Sequence, residues 1–487
     1  MKKIATLMMS LLLLIGIVGC TTTENSSSES NSGSGDAKQE DGMKVLKLNN
    51  GSEPTSFDPP IGFDSVSWNA LNNLMEGLTR LDKDDQPQPA AAKDWDLSDD
   101  GKTYTFHLRE DAKWSNGEPV TAEDFEFAWK RLANPDTASP AAFLAYFIKG
   151  AEGFNTGEGS EEDMMVKAVD ETTLEVTLES PVSYFPSIIS NPAFFPVHKA
   201  TVEENPEWHT EADTYVSNGP FKLTKWEHDS EFVFSKNENY WDAANVKIDE
   251  VDWAMVDDTN TEYQMYKTGE LHTSDVPADL SEELFSNGKA QVEDQSGTYF
   301  YRFNLEMEPF QNKNIRKAFA MAVDQQKIVD FVTKNKEKPA HGFVAYGFKD
   351  PAGEDFREVG GDLLTPDADK AKELLEKGME EEGYDNLPAV TLTYNTDDDH
   401  KKIAETIQQM YKEVLGVDIE LANQEWNVFS DEQKQLNLQF SRSSFLADYA
   451  DPINFLESFQ TGHSMNRTGW SNEEYDSLIQ KAKEETD

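Results

Sequence analysis

The chain has a single cysteine, Cys20, among 487 residues. An intramolecular disulfide is therefore impossible, and cysteine-based metal sites are excluded. Basic residues are scarce as well: 43 Lys plus Arg face 92 Asp plus Glu, a formal net charge of −49. A body of that sign is repelled by phosphate backbones and anionic lipid, which excludes nucleic-acid binding and a polybasic membrane mode. The eight histidines are scattered and form no H-E-x-x-H pair, so no metal is expected. There is no G-x-S-x-G elbow and no G-x-x-x-x-G-K-S/T loop. The many acids single out no catalytic pair. Without a nucleophile or a cofactor motif, the chain is expected to be no enzyme and to need no cofactor. What is present is aromatic: 28 Phe, 15 Tyr and 10 Trp argue for packed cores rather than an acidic disordered polymer. At about 100–200 residues per domain, the length implies more than one.

The N-terminus reads as an export signal over residues 1–19, with Lys2 and Lys3 ahead of an apolar run from Ile4 to Gly19. No comparable run occurs later, so the mature chain is not expected to be an integral membrane protein. Ile17-Val-Gly-Cys20 resembles the bacterial lipobox, which implies cleavage before Cys20 and a lipid on its thiol. Residues 20–42 continue as a polar segment in which Ala37 is the one apolar residue from Thr21 onward. Such a stretch cannot offset its ordering entropy and reads as a flexible tether with a root-mean-square reach of roughly 25 Å.

Beyond the tether, strand and helix periodicities mix. Alternation marks strands at Tyr104–Leu108, Leu174–Leu178, Val390–Tyr394 and Val417–Leu421. Thr121-Ala-Glu-Asp124 is a capping-box opening to a helix with Phe125, Trp129 and Leu132 on one face. Thr365-Pro366 precedes a helix that Gly378 is expected to end. Ser471-Asn-Glu-Glu474 opens another, with Tyr475, Leu478, Ile479 and Ala482 on its apolar side. Ile403, Ile407, Met410, Tyr411 and Val414 recur at helical spacing up to Gly416, between two of the strands. That strand–helix–strand unit predicts parallel strands and an α/β domain in the C-terminal half.

Several segments, in order, resemble the oligopeptide-binding extracellular solute-binding proteins (family 5) that serve bacterial ABC importers. They are Glu53 to Pro59, Tyr104 to Arg131, Asn218-Gly-Pro-Phe221, Asn239-Tyr-Trp-Asp242, Phe303-Asn304 with Asn314 to Ala318, Tyr394-Asn-Thr396 with His400-Lys-Lys402, Asn423 to Trp426, and Ala447 to Pro452. The resemblance implies an α/β fold of the periplasmic-binding-protein type, two hinged lobes closing on ligand, with an extra inserted domain. It places the first lobe at 43–65 plus 192–297, the insertion at 66–191 and the second lobe at 298–487. It implies a monomeric receptor for oligopeptides, partnered by the permease and ATPase subunits of an importer. The receptor would be held by the lipid on Cys20 at the extracellular face of the cytoplasmic membrane, in a Gram-positive-type envelope. A specific signalling peptide, a dipeptide or a metal complex are alternative ligands within that fold. An exported peptide hydrolase or an adhesin is the alternative from another class.

A receptor for any peptide must hold an ammonium, a carboxylate and a row of backbone groups. By resemblance Asp448 pairs with the peptide amino terminus, although Asp448-Tyr-Ala-Asp451-Pro452 is also a good turn. Arg442 matches an arginine that receives the carboxylate of a short peptide; a surface ion pair is the other reading. Ser444 and Leu446, at strand spacing between them, would pair their backbone with the peptide, as any buried strand would with a neighbour. His400 matches a position that meets the carboxylate of a longer peptide, or else serves the start of its helix. Trp426 aligns with a pocket-lining aromatic, or is a core tryptophan. Glu53 falls near the cleft mouth. Trp114 and Trp129 are assigned to structure. Relatives return to the first lobe after the region matched by Ser471–Lys483, whereas this chain stops at Asp487. The second lobe is therefore expected to be C-terminally truncated, with poor stability and weak closure.

Overall fold

The computed structural model describes residues 42–484. The expected signal, the lipidated Cys20 and the tether up to residue 41 lie outside the described residues. Three four-stranded sheets organise the described chain. In the first, Val45–Asn49 pairs in parallel with Glu250–Ala254, which continues antiparallel through Glu231–Lys236 to Phe221–Glu227. The chain's first strand is thus completed by residues some 200 positions away. The second sheet is antiparallel throughout, in the order Ala92–Leu97, Thr103–Leu108, Thr173–Thr177, Val166–Asp170. Its alternation is that of a one-sided strand: Tyr104, Phe106 and Leu108 point into the core. The third is mixed, in the order Gly297–Phe303, Phe440–Leu446, Thr391–Asn395, Glu420–Gln424.

The helix Ala122–Ala133 closes over the second sheet. Thr121 and Asp124 form the reciprocal capping box, and Asp124 also accepts the indole N–H of Trp114 at 3.2 Å. Trp129, on the buried face, donates to the Phe194 carbonyl at 2.8 Å. Both tryptophans are fully buried and hydrogen-bonded within this body, so their place is structural.

In the third sheet the strand–helix–strand unit is present: Thr391–Asn395, helix Asp398–Leu415 and Glu420–Gln424, with the strands parallel. Ile403, Ile407, Met410 and Tyr411 are buried, Val414 packs against the same core, and Gly416 caps the helix at φ +70°. The second strand starts three residues later than its alternation predicts. The residues before it turn the chain off the helix: Val417 N–H bonds the Tyr411 carbonyl, and Ile419 C=O accepts from Gln408.

Two other expectations are corrected. Gly378 does not end its helix, which runs Ala368–Glu382 and stops at Gly383 with φ +71°. Gly378 is instead where that helix meets Lys313–Met321: a Cβ there would lie 2.6 Å from Ile315 Cγ1 and 2.9 Å from Asn312 Oδ1. Gly378→Ala is therefore expected to cost about 1–3 kcal/mol of stability, read as a lowered urea midpoint at unchanged slope. In the last helix, Glu473–Glu484, Leu478 and Ala482 are exposed, and the inward side is Tyr475, Ile479 and Lys483. That set repeats every four residues and brings a lysine to the interior.

Candidate functional site

The strand Phe440–Leu446 carries the site. All seven of its residues pair with Gly297–Phe303, whereas Thr391–Asn395 on its other side pairs only with Phe440 and Ser441. Beyond Ser441 that second edge has no strand partner among the described residues. Antiparallel pairing alternates, so only every second residue bonds a given neighbour. The bonds from Ala447 N to Ser296 O and from Asn304 N to Gln439 O set the phase, directing odd-numbered residues toward Gly297–Phe303. Arg442, Ser444 and Leu446 turn their N–H and C=O to that second edge, which is open at Ser444 and Leu446. The Arg442 carbonyl is taken by Gln433 Nε2 at 2.9 Å, while Ser444 and Leu446 have exposed side chains. Such an edge is a template for an added strand.

At the far end of this edge stands Asp448. The turn-capping role belongs to its neighbour Asp451, whose carboxylate accepts the Ile453 N–H at 2.8 Å in the turn that leads into the helix Ile453–Glu457. Asp448 is gripped by Asn454 alone: Asn454 Oδ1 accepts the Asp448 N–H at 2.7 Å, and Asn454 Nδ2 donates to Asp448 Oδ2 at 3.1 Å. Among the described residues no basic side chain pairs with it. Burial pushes its carboxyl up to about 7, Glu457 adds to the rise, and the Asn454 hydrogen bond opposes it. A half-buried carboxylate held by one amide is matched to a cation with hydrogen atoms to donate.

At the near end Arg442 lies over the Tyr299 ring, 4.8 Å from its centroid, with Nη1 donating to Asn395 Oδ1 at 3.3 Å. Its Nε is buried without a hydrogen-bond partner, and among the described residues no carboxylate forms an ion pair with it. The surface ion-pair reading therefore has no partner here. His400 Nδ1 is 3.4 Å from Tyr299 Oη, and the His400 backbone N–H is capped by Asp397 Oδ1 at 2.8 Å. The helix-start role is thus present in its backbone, while its ring lies near Tyr299 and the Arg442 charge. Burial, with the Arg442 charge, pushes the imidazole down to about 2, so it is neutral at physiological pH. It contributes a polar ring rather than a positive charge.

The remaining residues separate from this group. Trp426 begins the helix Trp426–Lys434, half-buried, with an indole N–H that is buried and unpartnered; it belongs to none of the hydrophobic cores. Glu53 is engaged elsewhere. Its oxygens accept from His228 Nδ1 at 2.8 Å and from the Asp229 N–H at 2.9 Å, in the turn between Phe221–Glu227 and Glu231–Lys236. None of its contacts reaches the Arg442–Asp448 segment. Sequence reasoning missed Tyr299, Asn395, Asn454 and Glu457. Tyr299 and Tyr301 have strand spacing, but only the register shows them opposite Ser444 and Arg442. Among the described residues no cluster of His, Cys, Asp or Glu is placed to hold a metal, and no helix is long and apolar enough to cross a membrane.

The mixed α/β sheets and the likeness to solved substrate-binding proteins define a two-lobed solute-binding fold. The chain belongs to the bacterial extracellular solute-binding proteins, family 5, whose model matches residues 86–467. It is 59% identical over 486 residues to the dipeptide-binding protein DppE of Bacillus subtilis (100% of this chain, 89% of that one). It is 41% identical to the oligopeptide-binding protein OppA of the same organism, over 100% of this chain and 90% of that one. Among solved structures, Listeria monocytogenes OppA bound to peptide superposes with a TM-score of 0.86 at 35% identity, covering 90% of this chain and 88% of that one.

Proposed function

We propose that this protein captures short peptides by their free amino terminus and delivers them to an ABC importer. The observation that carries the reading is the half-buried carboxylate of Asp448, without a cationic partner among the described residues, at the end of a strand edge whose Ser444 and Leu446 backbone groups face outward. A peptide added along that edge would bond Ser444 and Leu446 through its main chain, which reads no side chain. Its ammonium would meet Asp448 and its carboxylate would run toward Arg442. Two outward-facing residues between acid and arginine match about three peptide residues at roughly 3.4 Å each. Arg442 then serves the carboxylate of a tripeptide, and longer peptides extend past it toward His400, with Trp426 lining a side-chain pocket. Glu53 is assigned to the hairpin rather than the ligand.

Lobes at 43–65 plus 192–297 and 298–487, with an insertion at 66–191, are supported by the separate sequence ranges of the three sheets. The signal-like residues 1–19 and the lipobox-like segment ending in Cys20 support a lipid-anchored receptor on the outer face of the cytoplasmic membrane. In this reading it acts as a monomer and returns its ligand unchanged. The identity to a dipeptide-binding relative favours a second reading, in which two residues suffice. Calorimetric titration with di-, tri- and tetra-alanine and with N-acetyl-trialanine separates them. Trialanine is expected to bind best and its acetylated form at least 100-fold more weakly. Tightest binding of the dipeptide would move the carboxylate site away from Arg442. Equal binding of free and acetylated peptide would remove Asp448 from the site. Mass spectrometry of the recovered peptide is expected to find it intact, and cleavage would replace the receptor by a hydrolase.

A further inference from the structure

Behind Asp448 lies a second carboxylate, more deeply buried than the first. Glu457, at the end of helix Ile453–Glu457, is 1% exposed. Its Oε2 pairs with Lys483 Nζ at 2.6 Å, and its Oε1 accepts the Tyr449 hydroxyl at 2.7 Å. The same Oε1 stands 3.5 Å from Asn454 Nδ2, the nitrogen that donates to Asp448 Oδ2 at 3.1 Å. One amide thus bridges two carboxylates, and one lysine neutralises the farther of them. Lys483 reaches this point because the inward side of the last helix is Tyr475, Ile479 and Lys483; Tyr475 anchors it by donating to the Leu456 carbonyl at 2.7 Å. Tyr449 is aimed from the opposite direction, its ring stacked on Tyr184 at 5.8 Å and edge-on to Phe147 at 5.7 Å.

We propose that Glu457, with Lys483 as its counter-ion, is a positioning residue that sets how strongly the cleft selects a free amino terminus, by holding Asp448 through Asn454 and by biasing its charge. This rests on the reading of Asp448 as the ammonium anchor. The physics is that of two like charges sharing one bridge: the anchor must be ionised to hold a cation, and a neighbouring carboxylate opposes that ionisation. Lys483 offsets the opposition without touching Asp448. The other titratable groups facing this cluster are Asp451, Tyr184, Tyr449 and His463. The Tyr184 phenol is pushed up to about 12 and that of Tyr449 also upward by burial, so both keep their protons. His463 is pushed down to about 3 by burial and by Lys483, and stays neutral from pH 5 to 8. Asp451 is raised by burial and by Glu457, and its carboxylate is engaged by the Ile453 N–H.

The test is the pH profile of trialanine affinity from pH 5.5 to 8 in the full chain, for wild type, Glu457→Gln and Glu457→Asp, with N-acetyl-trialanine alongside. The peptide amine titrates identically in every variant and cancels in the comparison. Wild type is expected to lose about 30-fold in affinity from pH 8 to 5.5, and Glu457→Gln only about 4-fold, its midpoint falling by about one pH unit. Glu457→Asp, which keeps the charge, is expected to retain the wild-type midpoint. An unmoved midpoint in Glu457→Gln, or an identical shift in both variants, overturns the proposal. Should Glu457→Gln fail to fold, Lys483→Gln is measured instead; its midpoint is expected to rise, and an unchanged profile overturns the proposal. Failure of the underlying reading looks different: wild type would then bind free and acetylated peptide equally at every pH.

Discussion

Asp448→Asn is expected to lower affinity for a free tripeptide by roughly 100-fold or more at pH 8, leaving the weak binding of the N-acetylated peptide nearly unchanged. The substitution preserves size and the Asn454 contact and removes only the charge, so the loss measures the ammonium–carboxylate pair. Truncating one side of a buried, hydrogen-bonded charge pair costs about 2–5 kcal/mol, because the partner charge stays buried and unpaired. In the proposed complex the ammonium of the peptide is that partner. Glu53→Gln is the internal control: its carboxylate is occupied by His228 and Asp229, so it is expected to leave affinity within about twofold. Calorimetry on the three proteins with both peptides decides the matter, and an Asp448→Asn protein that binds free peptide like wild type would falsify the anchor.

Asp448→Asn is also expected to make the unliganded protein more stable at pH 8, on the order of 2–4 kcal/mol, and equally stable at pH 4. The sign follows from a carboxyl raised to about 7 in the folded protein from 3.8. A group that binds its proton more tightly when folded favours the native state at low pH. Below about pH 4 both states hold the proton and the group costs nothing. Between pH 4 and 7 the unfolded chain ionises while the folded one resists, and above pH 7 the full cost is present. Asparagine cannot ionise and has no such window. Thermal unfolding at the two pH values reads this directly. A variant destabilised at both would mean that Asp448 is a structural acid, not one held ready for a ligand. Together the two results would describe a side chain that costs stability in the empty receptor and supplies affinity in the filled one, the trade-off common at binding sites.

Local grammar was legible wherever cause and effect lie within a few residues. The Thr121–Asp124 box, the apolar face of Asp398–Leu415 and its Gly416 cap follow from side chains one turn apart, and the structure has them where the spacing predicts. Gly378 and Gly416 show the limit of that grammar. Both are glycines at the end of an apolar pattern, yet one caps a helix and the other admits Ile315 from a helix some sixty residues earlier. No local signal separates them. The same holds for Leu478 and Lys483: propensity chose the leucine for the interior, and packing against Glu457 chose the lysine.

The candidate site divides in the same way. Sequence alone determined the family segments and the period-two set Arg442, Ser444, Leu446, because alternation is a property of any strand. It also determined that an acid follows them in a turn, and that the chain lacks the cysteines and motifs of most enzymes. Only the tertiary structure decided that the neighbouring strand departs after Ser441 and leaves that set facing an open edge. It alone decided that Asp451 holds the turn before the helix and leaves Asp448 to Asn454, that Glu53 is consumed by a hairpin turn, and that Asn454, Glu457 and Lys483 stand in line behind Asp448. The reason is range. Periodicity and capping act through bonds and a few ångströms of backbone, whereas the burial that raises Asp448 and the partners that hold it come from segments whose proximity exists only once the cores have packed.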